Sequence, residues 1–162
     1  TVYLDLINRA SKYLYIFTPY LILDDFMRTA LCNAAKRGVD VRIVTPGIPD
    51  KKMVFRLTRS NYAPLMKSGV KIYEYTPGFI HAKSMVCDDE AAVVGTINLD
   101  YRSLYLHFEN AVYFSHCDAV AAVKQDGEDV FAVSKRMTIE DTRQTFIGKL
   151  VDSVLRVFET LL

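Results

Sequence analysis

Residues 81–98 read HAKSMVCDDEAAVVGTIN, and this stretch decides how the chain folds around its chemistry. Two short apolar runs, residues 82–87 and 91–94, flank the acidic residues 88–90. Apolar runs on either side of a tight polar turn are typical of a β-hairpin. The stretch therefore predicts two short strands that pair antiparallel.

Polar side chains that suit an anion stand at both ends of this hairpin. Side chains two positions apart leave the same face of a strand, so His81 and Lys83 are predicted to lie side by side. A histidine beside a lysine on one face is unusual for a core strand. The Lys83 ammonium, the Thr96 hydroxyl and the Asn98 amide can all donate hydrogen bonds to phosphate oxygens. The pattern indicates an anion pocket.

The chain before the hairpin alternates helices with strands. Apolar runs ended by Pro or Gly predict strands at residues 13–18, 39–44 and 70–75. Apolar positions at helical spacing predict helices at residues 2–12, 24–37 and 50–67. Asp24 or Asp25 suits the N-cap of the second helix, and the third is expected to bend around Pro64. This alternation favours parallel strands with helices on both faces of the sheet.

The chain after the hairpin adds fewer elements. We expect a strand at residues 109–115 and amphipathic helices at residues 118–135 and 146–162. The sequence therefore predicts an α/β fold, an α/β/α sandwich around a central mixed, mostly parallel sheet. A single domain is expected over residues 1–162.

Composition narrows the class of protein. Of 162 residues, 51% are hydrophobic and 24% charged, which excludes a disordered chain. The formal net charge of +1 argues against a dedicated nucleic-acid binder, so no nucleic-acid partner is expected. Cys32, Cys87 and Cys117 lack the spacing of metal ligands, and no metal site is expected.

The pattern His-x-Lys-x4-Asp-x6-Gly-Thr-x-Asn, which residues 81–98 fit without a gap, is the HKD signature of the phospholipase D superfamily. The following run, residues 98–110, resembles the second HKD repeat of bacterial cardiolipin synthases, as do residues 17–20 and the apolar C-terminal tail. The resemblance covers essentially the whole chain. The chain therefore resembles the C-terminal half of a longer enzyme with two such repeats.

That resemblance implies a chemistry. In the superfamily two HKD motifs meet, one histidine attacks phosphorus, and the other moves protons to and from the alcohols. His81 is implied to be the nucleophile or the general acid, and both roles stay open. Lys83, Asn98 and Thr96 are implied to bind the phosphate. Glu109 is implied to accept the other ring N–H of the histidine. No metal or other cofactor is needed for these steps.

Other residues are predicted to support the fold. Asp88, at the hairpin turn, and Gly95 are expected to be structural parts of the motif. His107 and His116 are expected to be structural or exposed. Tyr20 is interpreted as a core or edge filler, with a place facing the pocket as the alternative. Asp100, Arg102 and Ser103 are interpreted as residues that hold the loop after the motif together, with contact to a lipid headgroup phosphate as the alternative for Arg102.

The resemblance also implies a function and partners. The expected reaction is phosphatidyl transfer between two phosphatidylglycerol molecules, giving cardiolipin and glycerol. The partner is an N-terminal HKD repeat of the parent protein or a second copy of this chain. The parent is expected at the cytoplasmic face of the bacterial membrane, with this piece soluble. The alternatives are a homodimeric phosphodiesterase or nuclease and a non-catalytic module.

Overall fold

A central sheet organises residues 2–143, which together with Gly148 are the residues that the computed structural model describes. Its strands are β1 Tyr13–Phe17, β2 Asp40–Pro46, β3 Lys71–Tyr75, β4 Ser84–Cys87, β5 Ala91–Gly95, β6 Ala111–Ser115 and β7 Ser134–Arg136. They lie in the order β6-β5-β4-β1-β2-β3-β7. The helices are α1 Val2–Arg9, α2 Asp25–Lys36, α3 Lys52–Ser60, α4 Tyr62–Lys67 and α5 Asp118–Ala132.

The sheet is mixed, as predicted, but the expectation of mostly parallel strands is wrong. Strand β1 pairs parallel with β2, and β2 with β3. The pairings β1–β4, β4–β5, β5–β6 and β3–β7 are antiparallel. Parallel neighbours need a crossover helix, and the first three strands are connected in that way. The hairpin between β4 and β5 instead reverses the chain directly.

Helices cover both faces of the sheet, which confirms the predicted α/β/α arrangement. On one face, α1, α2 and α4 bury a continuous apolar core that includes Ile7, Leu31 and Leu65. On the other face, α5 packs Val120 and Phe131 against the aromatic side chains of β1. Burial of these apolar side chains is the main source of stability for such a layered fold.

Gly127 allows α5 to lie close to the sheet. A glycine inside a helix costs about 1 kcal/mol relative to alanine. Here a Cβ would lie only 3.3 Å from the Phe17 ring. The glycine therefore lets the helix backbone approach β1 more closely than any larger residue would.

The predicted helix at residues 50–67 is two helices, and the break is at Asn61 rather than Pro64. Asn61 is fully buried, and its Nδ2 donates to the carbonyl oxygens of Leu21 and Leu57, both at 3.1 Å. Pro64 lies in the first turn of α4, where a missing N–H removes no helical hydrogen bond. The Asn61 side chain, which donates to these backbone carbonyls, therefore marks the boundary between α3 and α4.

Other boundaries also differ from prediction. Helix α5 ends at Ala132, and residues predicted to continue it form β7 at the sheet edge. Strand β6 begins at Ala111 rather than at residue 109. The N-cap prediction is confirmed for α2, where Asp24 accepts a hydrogen bond from the Met27 N–H. The helix predicted at residues 146–162 lies outside the described residues, apart from Gly148.

No helix within residues 2–143 is both long enough and apolar enough to cross a bilayer.

Candidate active site

The hairpin turn is tied to the start of β1 through Asp88. Its Oδ1 accepts from the backbone N–H groups of Lys12 and Tyr13, both at 2.9 Å. Its Oδ2 accepts from the Ser11 N–H at 2.7 Å and the Ser11 hydroxyl at 2.8 Å. Burial alone would raise the pKa of Asp88, but these hydrogen bonds outweigh it and hold the pKa below its usual range. The carboxylate thus fixes β4 against β1.

His81 and Lys83 lie together, just before β4 rather than within it. The Lys83 Nζ is 2.9 Å from His81 Nδ1 and 2.8 Å from the His81 carbonyl oxygen. The His81 ring stacks on Phe79 with centroids 5.6 Å apart, and the Tyr20 ring meets it edge-on at 6.4 Å. The predicted juxtaposition of His81 and Lys83 is therefore present, although an extended segment provides it instead of a strand.

The electrostatics keep the histidine neutral. Desolvation first, and then the positive charge of Lys83, lower the pKa of His81, while Asp50 acts in the opposite direction. Desolvation also lowers the pKa of Lys83, against the opposing carboxylates of Glu109, Asp100 and Asp50. A charged ammonium can only donate, so its contact with Nδ1 places the imidazole proton on Nε2.

Asn98 is held in the loop after the motif, which Asp100 and Ser103 stabilise as predicted. Its Nδ2 donates to the Ser103 hydroxyl at 3.0 Å, and the Ser103 N–H donates to Asp100 Oδ1 at 2.7 Å. Ser103 lies in a single π-helical turn, Arg102–Leu106. Within the described part of the chain, Asn98 Oδ1 is buried without a hydrogen-bond partner. Such an orphan is rare and marks unused hydrogen-bonding capacity at this point.

Thr96 and Glu109 form a second polar unit beside Lys83. The Thr96 hydroxyl donates to Glu109 Oε2 at 2.5 Å and accepts from the Asn110 N–H at 3.0 Å. Glu109 Oε1 lies 3.7 Å from His107 Nδ1. The predicted hydrogen bond from His81 to Glu109 is not among the contacts of the described residues. Instead, the Lys83 ammonium contacts Nδ1 of the His81 ring, and Glu109 accepts a hydrogen bond from the Thr96 hydroxyl.

A small polar cavity of about 130 Å³ adjoins these residues. Tyr20 is on its wall and donates to Asp50 Oδ2 at 2.5 Å. Its ring also meets His81 edge-on, and it therefore connects the cavity to the histidine. The wall further includes Lys51, Asn98, Asp100, Arg102, Ser103 and His107.

Several of these wall residues were missed or interpreted otherwise from the sequence. His107 faces the cavity, so its interpretation as merely structural or exposed is incomplete. Tyr20 faces the cavity, which was its alternative interpretation. Arg102 also lines the cavity, and its contact with a lipid headgroup phosphate stays a prediction. Asp50 and Lys51 carried no motif, but they follow β2, as Tyr20 follows β1. The carboxyl ends of parallel strands meet at one edge of the sheet, so the predicted ends of these two strands could have indicated that the residues after them lie together.

Gly95 lies where β5 meets β6, and its replacement is expected to be severe. A Cβ there would lie 2.3 Å from the Asn110 carbonyl oxygen and 2.5 Å from Ala111 Cα. Both obstacles are backbone, so Gly95→Ala must separate the strands beside Thr96 and is expected to lose about 3 kcal/mol or more of unfolding free energy. Urea unfolding will measure this.

The matched control for that substitution is Gly78→Ala. No atom lies within 4 Å of a Cβ at Gly78. We expect its unfolding free energy to stay within about 1 kcal/mol of the unmodified chain. If the two variants had equal unfolding free energies, the strands would be able to separate at Gly95 without a loss of stability, and the prediction would be wrong.

The fold and the histidine–lysine site define a phospholipase D-like α/β domain. Phosphatidylserine synthase of Haemophilus influenzae Rd KW20 superposes with a TM-score of 0.80 at 19% identity, over 99% of this chain and 44% of that chain. Nuc, a phospholipase D family member from Salmonella typhimurium, superposes with a TM-score of 0.73 at 20% identity. That match covers 84% of this chain and 88% of that chain. At these identities the likeness concerns the fold.

The family follows from sequence. The family model described as "Cardiolipin synthase, PLD-like domain" matches residues 3–130, and the chain belongs to this family. A cardiolipin synthase of Geobacillus sp. (strain WCH70) is 38% identical over 162 residues, which are 99% of this chain and 32% of that protein. The chain spans about a third of the length of the curated relatives that it matches.

Proposed function

We propose that this domain supplies one half of a phosphatidyl-transfer site that converts two phosphatidylglycerol molecules into cardiolipin and glycerol. The observation that carries the proposal is the contact of Lys83 Nζ with His81 Nδ1 at 2.9 Å. The Lys83 carbonyl oxygen accepts from the Gly95 N–H at 3.1 Å, just before the loop that carries Asn98. A nucleophilic or acidic imidazole and a phosphate-binding cation must be this close to act on one phosphorus. The membership of the cardiolipin synthase family supports the choice of substrate.

The reaction divides one displacement into two. An imidazole nitrogen attacks phosphorus, and the bond from phosphorus to the oxygen of the headgroup glycerol breaks. A protonated second histidine gives that oxygen its proton, so free glycerol leaves and the phosphatidyl group stays on the first histidine. The hydroxyl of a second phosphatidylglycerol then attacks the phosphohistidine, loses its proton to the second histidine, and breaks the phosphorus–nitrogen bond. Lys83 and Asn98 are proposed to stabilise the phosphoryl oxygens. Thr96 is proposed to join them when substrate binds, by turning its hydroxyl proton from Glu109 to a phosphoryl oxygen.

Lys83 is proposed to move when substrate binds. In the structure its ammonium donates to Nδ1, so the neutral ring carries its proton on Nε2. A phosphodiester is a stronger acceptor for an ammonium than an imidazole nitrogen. Transfer of Lys83 to the phosphate would free Nδ1, and either ring nitrogen could then carry the proton. The two roles of His81 therefore depend on the partner half-site.

The second half-site is proposed to come from another HKD repeat, in the same protein or in a second copy of this chain. Of the other histidines, His107 lies near Glu109 and His116 follows β6. Neither stands in a second His-x-Lys pattern. The mechanism needs an acid opposite the nucleophile, so a second motif has to face His81.

One observation favours a second candidate function, a homodimeric phosphodiesterase or nuclease. The match to Nuc covers 88% of that chain, so a protein of about this size can consist of this fold alone. The formal net charge of +1 gives little attraction for a nucleic-acid backbone. We therefore place this candidate second.

The test is a graft into a two-repeat relative. This chain replaces the homologous third of the Geobacillus sp. cardiolipin synthase, and the graft is incubated with phosphatidylglycerol vesicles. Cardiolipin and glycerol in equal amounts are expected from phosphatidyl transfer. Phosphatidic acid as the main product would contradict transfer and favour a hydrolase. The isolated chain is tested in parallel on single-stranded and duplex DNA, and cleavage there would favour the nuclease.

A further inference from the structure

An apolar cavity of about 280 Å³ lies behind the loop that carries Asn98. Its walls include Val93 on β5, Ile97 on the loop, Leu104 on the π-helical turn and Ala111 on β6. At its rim, Val2 is 53% exposed and Tyr113 is 45% exposed. The cavity is therefore open to solvent between α1 and the edge strand of the sheet.

This cavity meets the polar cavity of the candidate active site. Ser103 lines both cavities, and its hydroxyl accepts the hydrogen bond from Asn98. Ile97 lines the apolar cavity, and Asn98, the next residue, lines the polar one. A single stretch of backbone therefore separates a phosphate-binding surface from an apolar one.

The lining suits an uncharged, apolar ligand. None of the side chains that line the cavity carries a formal charge at neutral pH. Buried Tyr3 contributes its hydroxyl, which donates to the Ile97 carbonyl oxygen at 3.5 Å. Burial first, and then the charge of Glu109, raise the pKa of Tyr3 to about 12, so it remains a neutral phenol. A charged ligand would lose hydration here without compensation, whereas a hydrocarbon chain would gain free energy.

We infer that this cavity is a subsite for one fatty acyl chain of the phospholipid substrate. The inference rests on the proposed function, because it assumes that the phosphodiester is bound by the polar side of the same loop. A diacyl phospholipid carries an anionic phosphodiester and apolar chains a few bonds apart. The two adjoining cavities offer one surface for each of these parts.

Calorimetric titration of the chain tests the inference with two probes. One is dioctanoyl-phosphatidylglycerol below its critical micelle concentration, and the other is glycerophosphoglycerol, which has the same headgroup and no acyl chains. We expect the acylated probe to bind at least about tenfold more tightly, because burial of two or more methylene groups suffices for that difference. Val2→Asp, which puts a charge at the rim, should remove most of this difference and leave glycerophosphoglycerol unchanged.

Met53→Asp is the matched control, because Met53 is 55% exposed and lies in the first turn of α3, as Val2 lies in the first turn of α1. An aspartate in the first turn suits a helix in both places, so folding should be affected alike. Equal binding of both probes would overturn the subsite and leave a phosphodiester site intact. A preference for the acylated probe that survives Val2→Asp would place the acyl contact elsewhere and also overturn it. Binding of neither probe would overturn the subsite and the proposed function together.

Discussion

Replacement of His81 by asparagine will lower the rate of cardiolipin formation by the grafted enzyme by roughly 10³- to 10⁵-fold. The asparagine amide can hydrogen-bond, but it neither attacks phosphorus nor carries a proton between oxygens. Lys83, Asn98 and Thr96 remain to bind the phosphate, so the KM for phosphatidylglycerol should change far less than kcat. Initial rates of glycerol release over a range of lipid concentrations separate the two constants.

His116→Asn is the control for that substitution. His116 is exposed and has a φ of 48°, a left-handed conformation that asparagine tolerates well. We expect its kcat to equal that of the unmodified graft. If His81→Asn kept more than about a tenth of the rate, the histidine would be neither nucleophile nor general acid.

The sequence predicts the layered fold well, because long periodic segments carry it. Helix α2 and the strands β1 to β3 each have a clear apolar pattern and a Gly, Pro or Asp boundary signal. Helix α1 has the pattern without such a signal, and it ends at Arg9 rather than at the predicted residue 12. Strand β7 was missed because Ser134, Lys135 and Arg136 are polar and pair only at the sheet edge. Its formation depends on β3 being in place, and no local pattern encodes that dependence.

The site is predicted less completely than the fold. Motif spacing predicts that His81, Lys83 and Asn98 act together. The structure brings Lys83 into contact with His81, and Asn98 lines a cavity whose wall includes Tyr20, the ring that meets His81. The motif spacing does not predict that Glu109 accepts a hydrogen bond from Thr96 rather than from the histidine ring. That contact depends on how β5 pairs with β6. The contribution of Asp50 depends on how two loops meet at the ends of parallel strands. These contacts are tertiary and leave no periodic trace in the sequence.

Asp88→Asn is expected to lower the free energy of unfolding by about 2–4 kcal/mol at neutral pH. The carboxylate is buried and accepts hydrogen bonds from the backbone of Ser11, Lys12 and Tyr13 and from the Ser11 hydroxyl. An asparagine turns one acceptor oxygen into an NH₂ group that faces other donors, so buried N–H groups lose their partner. Asparagine also accepts the φ of 56° at this position, which excludes backbone strain as the cause. Urea unfolding provides the measurement.

The effect should depend on pH in a defined direction. The pKa of Asp88 is lowered in the folded chain, so its contribution to stability is fully present above the unfolded pKa of about 3.9. That contribution is lost as the pH falls through the folded pKa. The difference between the unmodified chain and Asp88→Asn should therefore be largest near neutrality and shrink as the pH falls below about 4.

Asp89→Asn is the matched control, because Asp89 has a φ of 62° and lies one position further in the same turn. Its exposed carboxylate accepts from Tyr13 Oη at 2.9 Å and from Lys124 Nζ at 2.8 Å. Water can replace these partners, so a loss of at most about 1 kcal/mol is expected. Equal losses in the two variants, or a loss at Asp88 that is independent of pH, would contradict a buried carboxylate as the link between the hairpin and β1. In that event the turn conformation alone, and not the charge, would hold the β4–β5 hairpin against β1.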